Sequence, residues 1–114
     1  MDRIFQAGDI VDERYVIEGV LGHGGMGVVY VARDRVLGRS VAVKVLPERH
    51  WREAAAVERF LRQARTLAAV PRHTTVQIYD QGEHAPGVPY IVMERLRGRD
   101  LRQLLEQQSL GLRS

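Results

Sequence analysis

A chain of 114 residues, 45% hydrophobic and 27% charged, is long enough to bury one modest core and too short for two. The absence of cysteine excludes a disulfide framework, a thiol nucleophile and cysteine zinc sites, and His23, His50, His73 and His84 lack metal-ligand spacing. The 17 basic and 14 acidic residues are interleaved, so the net charge of +3 forms no stripe for nucleic acid; no window reaches the length of a membrane span and the start lacks a leader pattern, which together predict a cytoplasmic chain.

In chain order, residues 1–13 read as a polar lead-in with a turn at Gly8-Asp9. Tyr15 to Leu21 alternates apolar with small or polar residues and predicts a strand, interrupted by the glycine cluster at 22–27 and resumed in β-branched residues from Val28 to Ala32. After a turn at Leu37-Gly38, Ser40 to Leu46 predicts a third strand that Pro47 ends. From Trp51 to Val70 there is neither glycine nor proline. Val57, Phe60, Leu61, Ala64, Leu67 and Ala68 recur at helical spacing there, which predicts an amphipathic helix. Thr75 to Tyr79 and Pro89 to Met93 are two more strand candidates around a Gly- and Pro-containing loop at 82–89, and Arg99 to Gln108 predicts a short second helix. Short connections imply antiparallel pairing, so the expected fold is an α+β lobe with a five-stranded antiparallel sheet and one long helix on one side.

Two features carry chemistry. Gly22, Gly24 and Gly27 spell G-x-G-x-x-G, where missing side chains let backbone N–H groups approach phosphate oxygens. A dinucleotide-binding fold would open a helix at these glycines and place an acid about 20 residues on. Here another strand follows, and the residue 20 positions past Gly24 is Lys44. A Walker-type loop is excluded because no Gly-Lys-Ser/Thr follows. Lys44 is also the only lysine, the other 16 basic residues being arginine, which marks a position where a point-like ammonium serves and a planar guanidinium does not.

Leu21 to Tyr30 followed by Val41-Ala42-Val43-Lys44 resembles the glycine-rich loop and strand-three lysine of protein kinases. The Gly-Gly-Met-Gly-x-Val-Tyr wording is similar to the bacterial Ser/Thr kinases of eukaryotic type, and the likeness continues through Phe60-Leu61-Arg62, Ile78-Tyr79-Asp80 and Tyr90-Ile91-Val92-Met93-Glu94. The resemblance implies a kinase N-terminal lobe with its hinge over residues 14–98, and a short helix and tail over 99–114 leading toward a C-terminal lobe. It implies an ATP site in which Gly22, Gly24 and Gly27 cover the phosphates and Val29 and Ala42 form the ceiling over adenine, with Leu21 and Gly25 among the cofactor-binding residues. Lys44 would hold the α- and β-phosphates, Met93 would guard the back pocket, and backbone groups of Glu94 and Leu96 would meet the adenine edge.

The match departs from the family pattern at one position. Ungapped alignment puts Gln63 where the family carries a helix glutamate paired to the lysine; an amide offers only a neutral oxygen, so the pair would be weaker, unless Glu58 or Glu53 serves instead. No His-Arg-Asp or Asp-Phe-Gly motif occurs in these residues, so magnesium would find its protein ligands in the other lobe and this chain is not expected to catalyse alone. Two readings follow: the ATP-binding lobe of a Ser/Thr protein kinase, or a non-catalytic regulatory module that docks on a kinase or another protein. Met93, Leu96 and the leucines of 101–105 are expected to expose an apolar face, predicting self-association of the isolated chain.

Overall fold

The computed structural model describes residues 4–24, 27–69, 77–84 and 87–95, with the backbone alone at 63–69. The elements are β1 (Ile10–Val11), β2 (Tyr15–Gly24), β3 (Gly27–Asp34), β4 (Arg39–Val45), α1 (Ala54–Ala69), β5 (Ile78–His84) and β6 (Val88–Glu94), with a single 3-10 turn at Glu48–His50 before the helix. All six strands form one antiparallel sheet in the order β1-β2-β3-β4-β6-β5. The expectation of five strands is therefore corrected to six. The helix begins three residues later than Trp51, and β5 runs on through Gly82 to His84, into the stretch read as a loop. The predicted second helix at 99–108 lies outside the described residues.

Side-chain chemistry accounts for the strand order. Every residue of β6 from Val88 to Met93 is buried, as are Val41 to Val45 of β4, so both strands need cover on two faces and occupy interior positions. β5 carries Asp80, Gln81 and Glu83 and is only partly covered, which suits an edge. The chain meets this requirement by crossing from β4 through α1 to the far edge and then inserting β6.

The extra strand, β1, follows from a turn with an unusual composition. Asp12 and Glu13 both have positive φ, 52° and 60°, the backbone of a tight hairpin turn that usually contains glycine or asparagine. Asp12 is held there from two sides: its N–H donates to His84 Nδ1 at 2.8 Å and its carboxylate accepts from the Tyr90 hydroxyl at 2.5 Å. Ahead of β1, the N–H groups of Ile4 and Phe5 donate to the Tyr30 hydroxyl at 3.0 and 3.1 Å, and Phe5 packs edge-on against Tyr30 and His84. The lead-in is thus a strap across the sheet.

The two sheet faces have separate cores. The strap covers one built from Tyr15, Ile17, Tyr30, Val41, Val43, Val45, Tyr90 and Val92. The other, formed by Val29, Ala42, Leu46, Ile91 and Met93, is completed by Phe60 of α1. Trp51 packs against both cores, and its Nε1–H donates to the Leu46 carbonyl at 2.8 Å, fixing the approach to the helix against the end of β4.

Candidate nucleotide site

Strand register assembles the site. Val29 lies opposite Lys44, which lies opposite Ile91; one step along, Val31, Ala42 and Met93 make a second row. Cross-strand partners share a face, so Val29, Ala42, Lys44 and Met93 stand together on the face that α1 covers. Leu21 packs, half-buried, against the same cluster. The glycine segment lies beside β3 at this end of the sheet: Gly22 pairs with Val29 and Gly24 with Gly27, while register shifts after Ile17 and after Val20 bend β2. Gly25 and Met26, at the tip, lie outside the described residues.

Gly27 is the glycine whose identity the structure requires most plainly. Its φ is 157°, and a Cβ there would stand 2.7 Å from the Val45 carbonyl oxygen and 3.6 Å from Cε of Lys44. Any side chain would push the hairpin off β4 at the level of the lysine.

Lys44 is 1% exposed, and its Nζ sits over the ring of Phe60, 4.9 Å from the centroid. Burial pulls its amine well below the ordinary lysine value, because leaving water disfavours the ammonium. An anionic group brought into this nearly dry slot would favour the charged form that burial disfavours. Gln63 lies in α1, three residues after Phe60 and so on the same side of the helix; its side chain is outside the described residues. Of the alternative acids, Glu53 is exposed and bonded to His50 at 2.5 Å, and Glu58 is exposed and reaches Arg62 at 3.4 Å.

At the expected hinge, the Glu94 N–H donates to the Gln77 carbonyl at 2.9 Å and its carboxylate accepts from the Gln77 N–H at 2.6 Å, tying β6 to the entry of β5. Leu96 lies outside the described residues. Met93 corrects one expectation: at 1% exposure, packed with Phe60 and Ile91, it adds nothing to an exposed apolar face.

Sequence reasoning missed Phe60 and Trp51 as parts of this site. Phe60 was legible as a core position of the helix, but that it ends beneath Lys44 depends on which face of the sheet the helix covers. The opposite face also holds a polar array. Arg14 grips Asp34 with two bonds of 2.9 Å, and Asp34 accepts in addition from the N–H groups of Val36 and Leu37, closing the β3–β4 turn. The Arg14 guanidinium holds the Asp34 carboxyl down to about 2. Tyr15 donates to Asp80 at 3.0 Å. Among the described residues, no cluster of His, Asp or Glu could hold a metal ion, and no helix is long and apolar enough to cross a membrane.

Comparison with known proteins agrees with this geometry. The chain matches the protein kinase domain model over residues 15–113. It is 38% identical over 101 residues to a probable serine/threonine-protein kinase PknB of Corynebacterium glutamicum, an alignment covering 86% of this chain and 16% of that protein. It is 41% identical over 97 residues to the serine/threonine-protein kinase PksC of Streptomyces coelicolor, covering 82% of this chain and 17% of that protein. In fold it resembles the crystal structure of the Mycobacterium tuberculosis PknI kinase domain, with a TM-score of 0.70 at 24% identity over 93% of this chain and 42% of that one. The chain thus spans about a sixth of the length of these curated relatives. With the glycine hairpin, the buried lysine and the helix arranged as a kinase N-terminal lobe arranges them, the chain belongs to the protein kinase domain family.

Proposed function

We propose that this chain is the ATP-gripping lobe of a cytoplasmic Ser/Thr protein kinase, with phosphoryl transfer completed by residues outside these 114. The observation that carries the reading is Lys44: a buried amine, on one face with Val29 and Ala42, directly beside the glycine whose missing side chain leaves room for it. In this reading the Gly22–Gly27 backbone covers the phosphates and the Lys44 ammonium meets the α- and β-phosphate oxygens. Leu21, Val29 and Ala42 stack on adenine, Met93 closes the back of the pocket, and the backbone of Glu94 and Leu96 reads the adenine edge. Magnesium, when bound with ATP, supplies charge neutralisation at the phosphates, and its protein ligands belong to the other lobe. The chain's own part is to bind, orient and keep water from the phosphate end.

Mg-ATP is expected to raise the melting temperature of the chain, and Lys44→Ala to abolish the rise. Equal behaviour of the two proteins, with or without a shift, would remove Lys44 from the site.

A second reading is favoured by Gln63. With an amide where relatives of this type carry a charged partner, α1 is held less firmly in the active position, which suits a lobe that docks on a kinase or other protein without catalysing, or that pairs with a second copy of itself. Gln63→Glu tests the second reading. Tighter Mg-ATP binding supports the loosely held helix on which it rests, and unchanged affinity with unchanged helix position removes it.

A further inference from the structure

The Lys44 amine and the Phe60 ring are buried to 1% and 2% exposure and belong to different elements, β4 and α1. The Lys44 stem passes Gly27, where no side chain stands in its way, and its Nζ ends over the ring face at 4.9 Å. The face of an aromatic ring is the negative end of its quadrupole, and it attracts an ammonium most strongly where water is excluded. The strand neighbours of Lys44, Val29 and Ile91, carry no charge, and the described charged residues of α1, Glu58, Arg59 and Arg62, are exposed. His23 of the hairpin is exposed and Glu94 of β6 is half-exposed.

We propose that Phe60 is a positioning residue for Lys44: its ring seats the ammonium and couples the lysine to the placement of α1. The proposal rests on the nucleotide reading for its purpose, since a seated ammonium is what a phosphate would meet, but the seat itself exists without nucleotide. Burial favours the neutral amine, while the ring favours the cation. Withdrawal of α1 removes the ring together with any other helix group that Lys44 contacts, so helix position and lysine charge change as one. Gln63, one turn further along the same helix, would move with Phe60.

Because Lys44 is the only lysine, carbon-13 lysine labelling of the whole chain gives a single side-chain Cε resonance that can be titrated directly. Site-specific replacement of Phe60 by mono-, di- and trifluorophenylalanine keeps the ring's shape and weakens its quadrupole step by step. The charged-to-neutral ratio of Lys44 at a fixed pH is expected to fall along the series, by roughly threefold to tenfold at the trifluoro ring. Phe60→Trp is expected to restore or raise the ratio. An unchanged titration across fluorinated variants whose amide spectra match the parent would overturn the proposal. Mg-ATP in the same samples tests the other reading separately: a Cε resonance that ignores Mg-ATP sinks the nucleotide site, and a fluorine series that is flat sinks the seat.

Discussion

Replacing Gly27 by alanine tests the close approach of the hairpin proposed as a phosphate grip. The added Cβ would meet the Val45 carbonyl oxygen at 2.7 Å, a distance real Cβ atoms do not adopt, and the obstacle is backbone in an interior strand, so it cannot swing aside. The residue would also be held at a φ of 157°, which alanine disfavours. Overpacking of this kind costs about 1–3 kcal/mol and backbone strain adds about 1–2 kcal/mol, so a total of about 2–5 kcal/mol is expected. Against a domain stability of about 5–15 kcal/mol, this lowers the folded-to-unfolded ratio by roughly thirtyfold to five-thousandfold. Gly38→Ala is the control, because Gly38 has a φ of 66° but nothing within 4 Å of the point where a methyl group would stand; it carries the backbone strain alone, about 1–2 kcal/mol. Urea unfolding of both variants, at constant slope, gives the two costs. If Gly27→Ala lost no more stability than Gly38→Ala, the close approach of β3 to β4 at Lys44 would not exist as described.

Other consequences follow from individual side chains. The Asp34 carboxyl sits at about 2 in the folded chain against 3.8 unperturbed, so its stabilising effect is complete above pH 4 and is lost as pH falls toward 2. Urea midpoints measured across that window should drop for the parent, and Asp34→Asn should flatten the drop. Lys44→Met should raise stability at neutral pH by about 1–3 kcal/mol in thermal or urea unfolding, while removing nucleotide binding. The parent's stability should also rise with pH from the depressed folded midpoint of Lys44 toward the ordinary 10.5, because the unfolded chain binds the extra proton over that range, and Lys44→Met should lack this slope. Tyr30→Phe removes the acceptor for the Ile4 and Phe5 N–H groups, so amide exchange should accelerate across residues 4–9 and leave α1 unchanged.

The sequence made the inner face of this lobe readable because that face obeys simple periodicities. Alternation in β4 places Ala42 and Lys44 on one side, the β3–β4 register brings Val29 to it, and helical spacing puts Phe60 on the buried stripe of α1. The strap and β1 obey no such rule. Their turn runs through Asp12 and Glu13, with no glycine or proline to mark it, and it is stabilised by His84 and Tyr90, more than 70 residues away, partners that local reasoning has no means to supply. The continuation of β5 beyond Tyr79 escapes the sequence reading for a related reason: Gly82 reads as a chain breaker, yet it suits the strand because a Cβ there would meet the Tyr90 hydroxyl at 2.9 Å. The signal available beforehand was the contrast in polarity between β5 and β6, which assigns edge and interior.

The two faces of the sheet divide stability and function unequally. On the strapped face the buried carboxylate has its cation: Asp34 is gripped by Arg14 and capped by two backbone donors, and the Tyr15 and Tyr90 hydroxyls end on Asp80 and Asp12. Burial and these carboxylates push both phenols above their ordinary range, so they stay protonated donors, and the face is stable through the physiological range. On the helix face the chain instead buries a lysine amine that burial discourages from carrying charge. A fold selected for stability alone would place methionine or leucine there. Keeping a lysine in that slot, with no other lysine anywhere in the sequence, is understandable if the missing stabilisation is returned when an anion arrives, so Mg-ATP should stabilise the parent and leave Lys44→Met, the more stable chain without nucleotide, unmoved.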